Sequence, residues 1–304
     1  MTAYSIACLA GDGIGPEVMA QSSRGMRAAA RLHGFELEED HVPFGADATM
    51  RFGHPFPLAS RDTAIAADAI LAATIDQTLL QALEGELDLR AAVMRVRLRG
   101  AGVTIVAPLK ADAWAWTLKR AIATARSSKG QLTFVGSEDG WAAEAAEAST
   151  RDHGLDLSHL STRRTIRALV SNPDAFDVIV CARPLLVPLS ELAWCLDPRR
   201  VLAWGRLAAN GPGIFGPSHG TAVDIAGQGV ADPTSMLLAA ALMLGEGLGE
   251  RGAAATLSSA VSYVRGNGAR RAIGTVSMTS ELTDAVLARL PQSHSNAEFF
   301  TEAV

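Results

Sequence analysis

The chain has 304 residues, 48% of them hydrophobic and 19% charged, with a net charge of −5. That is the composition of an ordinary globular protein, long enough for two domains with substantial cores. The acidic balance, with a pI near 5.8, lacks the basic excess of a nucleic-acid binder. No apolar run reaches the length of a membrane span, and the longest, around 236–244, lies in a helical pattern.

Residues 5–9 (SIACL) form an apolar run that predicts a strand, followed by a helix over 16–33. Residues 66–73 read as a strand and 76–85 as a helix. Strands are predicted at 103–106 and 132–135, each followed by an alanine-rich helical stretch. Residues 177–181 are apolar almost throughout, as expected of a strand in a sheet covered on both faces. From Pro233 onward three helical segments dominate. Strand and helix alternate without an internal repeat, a low-complexity segment or a flexible linker, which argues for an α/β fold with a doubly wound, largely parallel sheet.

Cys8 and Cys181 fall inside apolar strand runs and read as small buried hydrophobes. With Cys195 the count is odd, and no C-x-x-C spacing exists, which argues against a zinc site or a redox pair. The odd count and the lack of a signal-peptide pattern point to the cytoplasm. The one basic cluster, Arg95, Arg97 and Arg99, reads as decoration of a strand edge or loop rather than a phosphate or carboxylate site.

A glycine loop, Gly11-Asp12-Gly13-Ile14-Gly15-Pro16-Glu17, follows the first strand and opens the first helix. It invites a dinucleotide-fingerprint reading, and acidic residues at Glu36, Glu38, Glu39 and Asp40 even fall near the distance expected for a ribose contact. The spacing is G-x-G-x-G, however, not G-x-G-x-x-G. Pro16 suits the first helical position, and Glu17 suits the positive end of the helix dipole while disfavouring a pyrophosphate there.

The stretch GDGIGPEV instead resembles the opening signature of the isopropylmalate/isocitrate dehydrogenase family, in its isopropylmalate branch. Residues 214–234 (IFGPSHGTAVDIAGQGVADPT) are similar to the family loop EPxHGSAPDIAGKGxANPT. Shorter matches extend the resemblance over most of the chain: NPDAFDVIV at 172–180, FGADAT at 44–49, GHPFP at 53–57, and the tail 274–290. The resemblance implies that the long loop wraps the adenosine half of a nicotinamide cofactor. His219 would meet the adenine, and Asp224 would accept hydrogen bonds from the ribose hydroxyls. Gly220, Ala222, Ile225 and Asp232 would complete the lining. A carboxylate at Asp224 repels a 2′-phosphate, so NAD is favoured over NADP. The competing reading is that His219 and Asp224 merely fix the loop. Two departures weaken the expected site: Gly216 stands at the family's glutamate, and Asp232 at its asparagine, adding negative charge near an anionic ligand.

The family oxidises 2-hydroxy acids with a divalent metal on three aspartates, a lysine and a tyrosine for proton transfer, and arginines that clamp carboxylates. By the resemblance, Val187 and Glu191 occupy two of the metal positions, and the third falls in 161–164, which reads STRR. Glu191 is better explained as a solvated helix residue than as a magnesium or manganese ligand. Ser137 stands at the lysine position and reads equally well as a helix N-cap followed by Glu138 and Asp139. Ala107 replaces an arginine, and the clamp motif is reduced to LRAAVMRVR at 89–97. The chain is also several tens of residues shorter than typical members, and the missing loops belong to the active site.

The implied organisation is a larger, cofactor-side domain of residues 1–93 and 211–304 and a smaller domain of 94–210 carrying a homodimer interface. Residues 185–196 and 141–149 are candidates for that interface. Leu185, Leu186, Leu189, Leu192, Ala193 and Leu196 make the first nearly all-apolar, as either a subunit contact or a monomer core would require. The functional expectation is a family member that binds NAD or an adenine nucleotide but has lost most of the chemistry. The alternatives are a diverged NAD-dependent dehydrogenase of another 2-hydroxy acid, and a regulatory or structural subunit of an active paralogue.

Overall fold

The computed structural model describes residues 2–98, 101–136, 154–196, 202–267 and 278–301. The chain divides into two compact units, one of Met1–Asp88 with Ala203–Val304 and one of Leu89–Leu202. Ten strands and ten α-helices lie among the described residues, giving the α/β architecture the alternating pattern predicts.

In the first unit, β1 (Ala3–Leu9) leads into α1 (Gly15–His33) and then β2 (Glu36–His41). Helices α2 (Ala46–Phe52) and α3 (Leu58–Ala66), strand β3 (Ala69–Ala72) and helix α4 (Gln77–Glu86) follow. After the second unit come β9 (Leu202–Ala208), β10 (Gly213–Pro217), α8 (Thr234–Leu242), α9 (Arg251–Asn267) and α10 (Thr279–Thr301). The strands run β2-β1-β3-β10-β9, parallel except for the β10–β9 pair. β3 is buried from end to end and β1 is buried over Ile6, Ala7, Cys8 and Leu9, as strands covered on both faces must be.

Helix α1 is amphipathic in the plain sense. Val18, Met19, Met26, Ala29 and Ala30 are buried, and Glu17 and Arg31 sit at the ends that suit their charge. It stops at Gly34, whose φ of 78° supplies the left-handed cap. α8 is buried on every side, so its apolar run is a core helix. No helix among the described residues is long and apolar enough to cross a membrane. Asp76, read in the sequence as the first residue of α4, is its N-cap: the carboxylate accepts from the Leu79 N–H at 2.9 Å.

The second unit carries β4 (Leu89–Leu98), β5 (Ala101–Pro108), α5 (Trp114–Arg126), β6 (Gln131–Val135), β7 (Asp156–Leu160), α6 (Thr162–Ser171), β8 (Val178–Cys181) and α7 (Arg183–Leu196). Its strand order is β4-β5-β8-β6-β7, with only the β4–β5 pair antiparallel. Arg95 and Arg97 are strand residues opposite Thr104 and Gly102, while Arg99 lies outside the described residues. Asp177, in the NPDAFDVIV stretch, is buried and accepts from Ser128 Oγ and from the Lys129 N–H at 2.9 Å, tying β8 to the turn before β6.

The apolar side of α7 is spent inside its own unit. Leu186, Leu189 and Ala193 are buried with Val96, Ile105, Phe176 and Ile179, and Leu185, Leu192 and Leu196 pack against that cluster. Of the two explanations the sequence leaves for this run, the monomer core accounts for these six side chains. The other interface candidate, 141–149, lies outside the described residues.

Candidate functional site

The site of interest is built at the carboxyl ends of β1, β3 and β10, where three loops of the first unit meet. The glycine loop after β1 supplies the first wall. Gly13, at φ 64°, brings the backbone so close to the long loop that a Cβ there would stand 1.9 Å from the Thr221 carbonyl oxygen. The neighbouring Ile14 N–H donates to that same oxygen at 2.8 Å. Asp12 joins the other loops. Its N–H donates to Thr74 Oγ1 at 2.8 Å, and its carboxylate accepts from the Ala46 N–H at 2.7 Å.

Glu17 does more than complement the helix dipole. Its Oε2 accepts from the Gly229 N–H at 3.1 Å, and the Gly229 carbonyl accepts from the Thr279 N–H at 2.7 Å. The long loop between β10 and α8 is therefore held at Thr221 and again at Gly229. Between these anchors the chain makes successive turns, with Ile225 N–H to the Ala222 carbonyl and Gln228 N–H to the Ile225 carbonyl, both at 3.2 Å. Ala222 takes φ 39°, the one positive φ outside glycine among the described residues. Left-handed backbone at an alanine costs about 1–2 kcal/mol and persists only where the surroundings impose it.

A cavity of about 310 Å³ opens beside these loops, lined by Asp12, Phe44, Thr74, Leu79, His219 and Gly220 among others. Its size lies at the small end of the range for ligand pockets. The FGADAT and GHPFP segments form part of its wall, with the Phe44 and Phe56 rings edge to face at 5.2 Å. Sequence reasoning missed Asp12, Thr74 and Phe44 as lining residues. Thr74 has no motif around it, and only the glycine next to Asp12 marked that position.

His219 is the distinctive polar group here. Burial pushes its imidazole below the ordinary histidine range, so it is neutral at physiological pH. Nδ1 lies 3.1 Å from the Gly220 carbonyl oxygen, which can only accept, so Nδ1 carries the proton and Nε2 is left as an acceptor. Nε2 is buried and has no partner among the described residues. The Asp224 carboxylate is exposed and also unpaired among the described residues; only its backbone carbonyl is engaged, by Gln228 Nε2 at 2.8 Å.

Other expected residues are occupied. Asp232 lies just before α8, accepting from the Thr234 N–H at 2.9 Å and Thr234 Oγ1 at 2.6 Å, and pairs with Arg265 at 2.9 Å. The charge that distinguishes it from asparagine is thus matched by a cation rather than left facing a ligand. Gly216 is not a simple deletion of a side chain. A Cβ there would lie 2.6 Å from the Ala72 carbonyl oxygen and 2.7 Å from the Trp204 ring, whose Nε1 donates to the Pro217 carbonyl at 2.7 Å. Tryptophan fills the space that a larger residue would need.

A scan of family profiles matches residues 5–99 and 101–286 to "Isocitrate/isopropylmalate dehydrogenase". The chain belongs to the isocitrate/isopropylmalate dehydrogenase family. It is 29% identical to the 3-isopropylmalate dehydrogenase of Streptococcus thermophilus strain CNRZ 1066, over 94% of this chain and 99% of that protein. It is 30% identical to that of Zymomonas mobilis, again over 94% and 99%. Those alignments run to 343 and 350 positions, more than the 304 residues here, so these relatives carry internal segments that this chain lacks. Among solved structures, a β-decarboxylating dehydrogenase of Thermococcus kodakarensis superposes with a TM-score of 0.78 at 22% identity, covering 95% of this chain and 96% of that one. An isocitrate dehydrogenase of Methylococcus capsulatus gives 0.74 at 22%, covering 94% and 99%.

The family's metal finds a poor donor set. Val187 and Glu191 are exposed on one face of α7, a turn apart, and Arg163 is exposed on α6. Glu191 belongs to no group of three ligand-bearing side chains among the described residues. Magnesium demands near-octahedral oxygen ligation, which one exposed carboxylate does not provide. Of the clamp arginines, Arg90 is paired with Asp112 at 2.9 Å, and the Ala107 position is buried in β5. Ser137 lies outside the described residues.

Proposed function

We propose that this chain binds NAD or an adenine nucleotide through the β10–α8 loop and does not carry out the family's metal-dependent oxidation. The observation that carries the first half is His219 Nε2: a buried acceptor without a partner among the described residues, on a loop anchored at both ends beside a cavity. Buried polar groups are nearly always satisfied, so an unpaired acceptor at a cavity marks a ligand donor as its complement. The exocyclic amino group of adenine is such a donor. Asp224 is free to accept from ribose hydroxyls, and its charge opposes a 2′-phosphate. Bound NAD would supply hydride acceptance. The residues of this chain would only hold and orient its adenosine half, and Mg²⁺ or Mn²⁺ does not fit the donors present.

Melting curves test the reading. A ligand at 100 times its dissociation constant stabilises by about 2.7 kcal/mol, so NAD or AMP is expected to raise the melting temperature measurably. If millimolar NAD and AMP both leave it unmoved, the loop is a structural relic. The histidine adds a pH signature with a definite sign. Binding uses the neutral imidazole, so affinity should hold at neutral pH and fall as the solution is acidified through the lowered His219 pKa. Affinity that rises on acidification contradicts the acceptor role.

We further propose a homodimer formed through the second unit. The leucines of α7 no longer argue for it, but Ile166 and Val170 on α6 and Val187 on α7 stay exposed at 42%, 51% and 54%. α6 packs on α7, so these side chains leave apolar surface on neighbouring helices. Light scattering at micromolar concentration is expected to give twice 31.8 kDa. A single species at the monomer mass removes the proposal.

A further inference from the structure

Beneath α1, on one face of β1 and β2, three metal-ligating side chains converge that the nucleotide reading does not use. The parallel register pairs Cys8 with His41 and Ile6 with Glu39. Side chains two apart on a strand share a face, so Glu39 and His41 point the same way, and Cys8 faces them from β1. Glu39 Oε2 lies 3.3 Å from His41 Nε2 and 4.0 Å from Cys8 Sγ, and the three ligand atoms are all within 4.8 Å of one another. The Glu39 side chain is 0% exposed, a costly place for a carboxylate, while His41 is half exposed.

From these positions we propose that Cys8, Glu39 and His41 form a binding site for a thiophilic divalent cation, Zn²⁺ in particular, with one coordination position open to solvent. Tetrahedral zinc with ordinary bond lengths separates its nitrogen and oxygen ligands by about 3.4 Å and its sulfur and oxygen ligands by about 3.6 Å. The nitrogen–oxygen distance already matches, the sulfur has a few tenths of an ångström to close on the carboxylate oxygen, and it lies within 4.8 Å of the imidazole nitrogen. Soft thiolate and imidazole select zinc over magnesium or calcium, which need more oxygens.

The charge balance is explicit. Burial and the nearby Glu39 push the Cys8 thiol up to about 12, so it enters the reaction protonated. The cation displaces that proton, a metal–sulfur bond replaces the sulfur–hydrogen bond, and one proton leaves to solvent. Arg27 Nε sits 2.5 Å from Glu39 Oε1, and Ser23 Oγ sits 2.5 Å from Oε2. Arg27 can stay on Oε1 but opposes the incoming charge, whereas Ser23 must turn away from Oε2. A cavity of about 640 Å³ lined by Ser23, Arg24, Arg27, Arg31 and His41 opens at the His41 side of the site, and its three arginines oppose an incoming cation. The C-x-x-C rule could not find this group, because the register of two strands, not spacing along the chain, assembles it.

Cobalt titration of the reduced, chelator-treated full chain tests the proposal independently of nucleotide binding. Expected is one Co²⁺ per chain with a near-ultraviolet thiolate-to-cobalt band, release of one proton, and displacement of the band by Zn²⁺. Cys8→Ser should abolish the band. His41→Ala, at a half-exposed position that the fold tolerates, should weaken binding by more than the roughly 10–100-fold typical of an outer-shell partner. Arg27→Gln should tighten it by removing the opposing charge. Cys195→Ser and Cys181→Ser should leave the band intact. No band in the wild-type chain at millimolar Co²⁺, or a band that survives His41→Ala at full strength, overturns the site.

Discussion

With NAD and Mg²⁺ or Mn²⁺ present, the purified chain is expected to form no NADH from isopropylmalate, isocitrate, malate or tartrate. Losing general acid–base help removes about 10²–10⁴ in rate. Losing metal polarisation of the substrate oxygen removes several further kcal/mol, at about 1.4 kcal/mol per tenfold. The groups act as a unit, so the losses are not additive, but either alone is severe. The donor set explains why. Val187 and Glu191 are solvated on α7, Arg163 is solvated on α6, and nothing among the described residues completes a magnesium shell around them. Reversion of Val187→Asp alone should therefore fail as well, because it restores one carboxylate of three. Metal-dependent NADH formation above about 0.1 s⁻¹, below the usual enzymatic range, contradicts this.

The second large effect concerns Gly216, where the resemblance expects a glutamate. Gly216→Glu is expected to destabilise the fold rather than restore function. The new Cβ meets the Trp204 ring at 2.7 Å and the Ala72 carbonyl oxygen at 2.6 Å, and position 216 is buried between β3 and β9. Overpacking costs about 1–3 kcal/mol, and a buried carboxylate without a partner costs several more. The melting temperature should fall on the order of 10 °C. Adding Trp204→Ala should recover part of that loss, since it empties the space the side chain needs, at the expense of a hydrogen bond to Pro217. A Gly216→Glu variant that melts within a degree or two of the parent contradicts the packing argument.

Much of the fold was legible because several of its strands are mostly apolar. The runs at 5–9, 132–135 and 177–181 correspond to β1, β6 and β8, and the three C-terminal helical segments are α8, α9 and α10. β2 was not legible. Its sequence ELEEDH reads as an acidic cluster, and only the fold shows that Leu37 and Glu39 turn inward, with His41 half exposed on the same face, while Glu36, Glu38 and Asp40 face water. β4 hid behind its motif, since residues 89–97 attracted attention as a degraded clamp rather than as a strand.

The site divides in the same way. His219 and Asp224 were readable because the loop resembles a family pattern, but the anchoring by Glu17, Ile14 and Thr279 comes from residues far away in sequence. Asp232 illustrates the reverse. Read alone it is an extra charge in a cofactor site, whereas in the fold it accepts from Thr234 at the start of α8 and meets Arg265. Gly216 could not be understood without Trp204, twelve residues earlier on the antiparallel neighbour. Motif reasoning identifies what a position once did, and packing decides what its replacement now does.

Calorimetric titration of NAD and NADP into the parent chain and Asp224→Ala tests the central claim most directly. The exposed carboxylate makes little contribution to folding, so the variant should remain folded and comparable. Hydrogen bonds to a charged group are worth about 1.5–3 kcal/mol, so the parent should bind NAD at least about tenfold more tightly than the variant does. NAD should also outcompete NADP on the parent, and that preference should vanish with the carboxylate. No heat with millimolar NAD on the parent chain, or equal affinities for both cofactors that Asp224→Ala leaves unchanged, contradicts a retained nucleotide site.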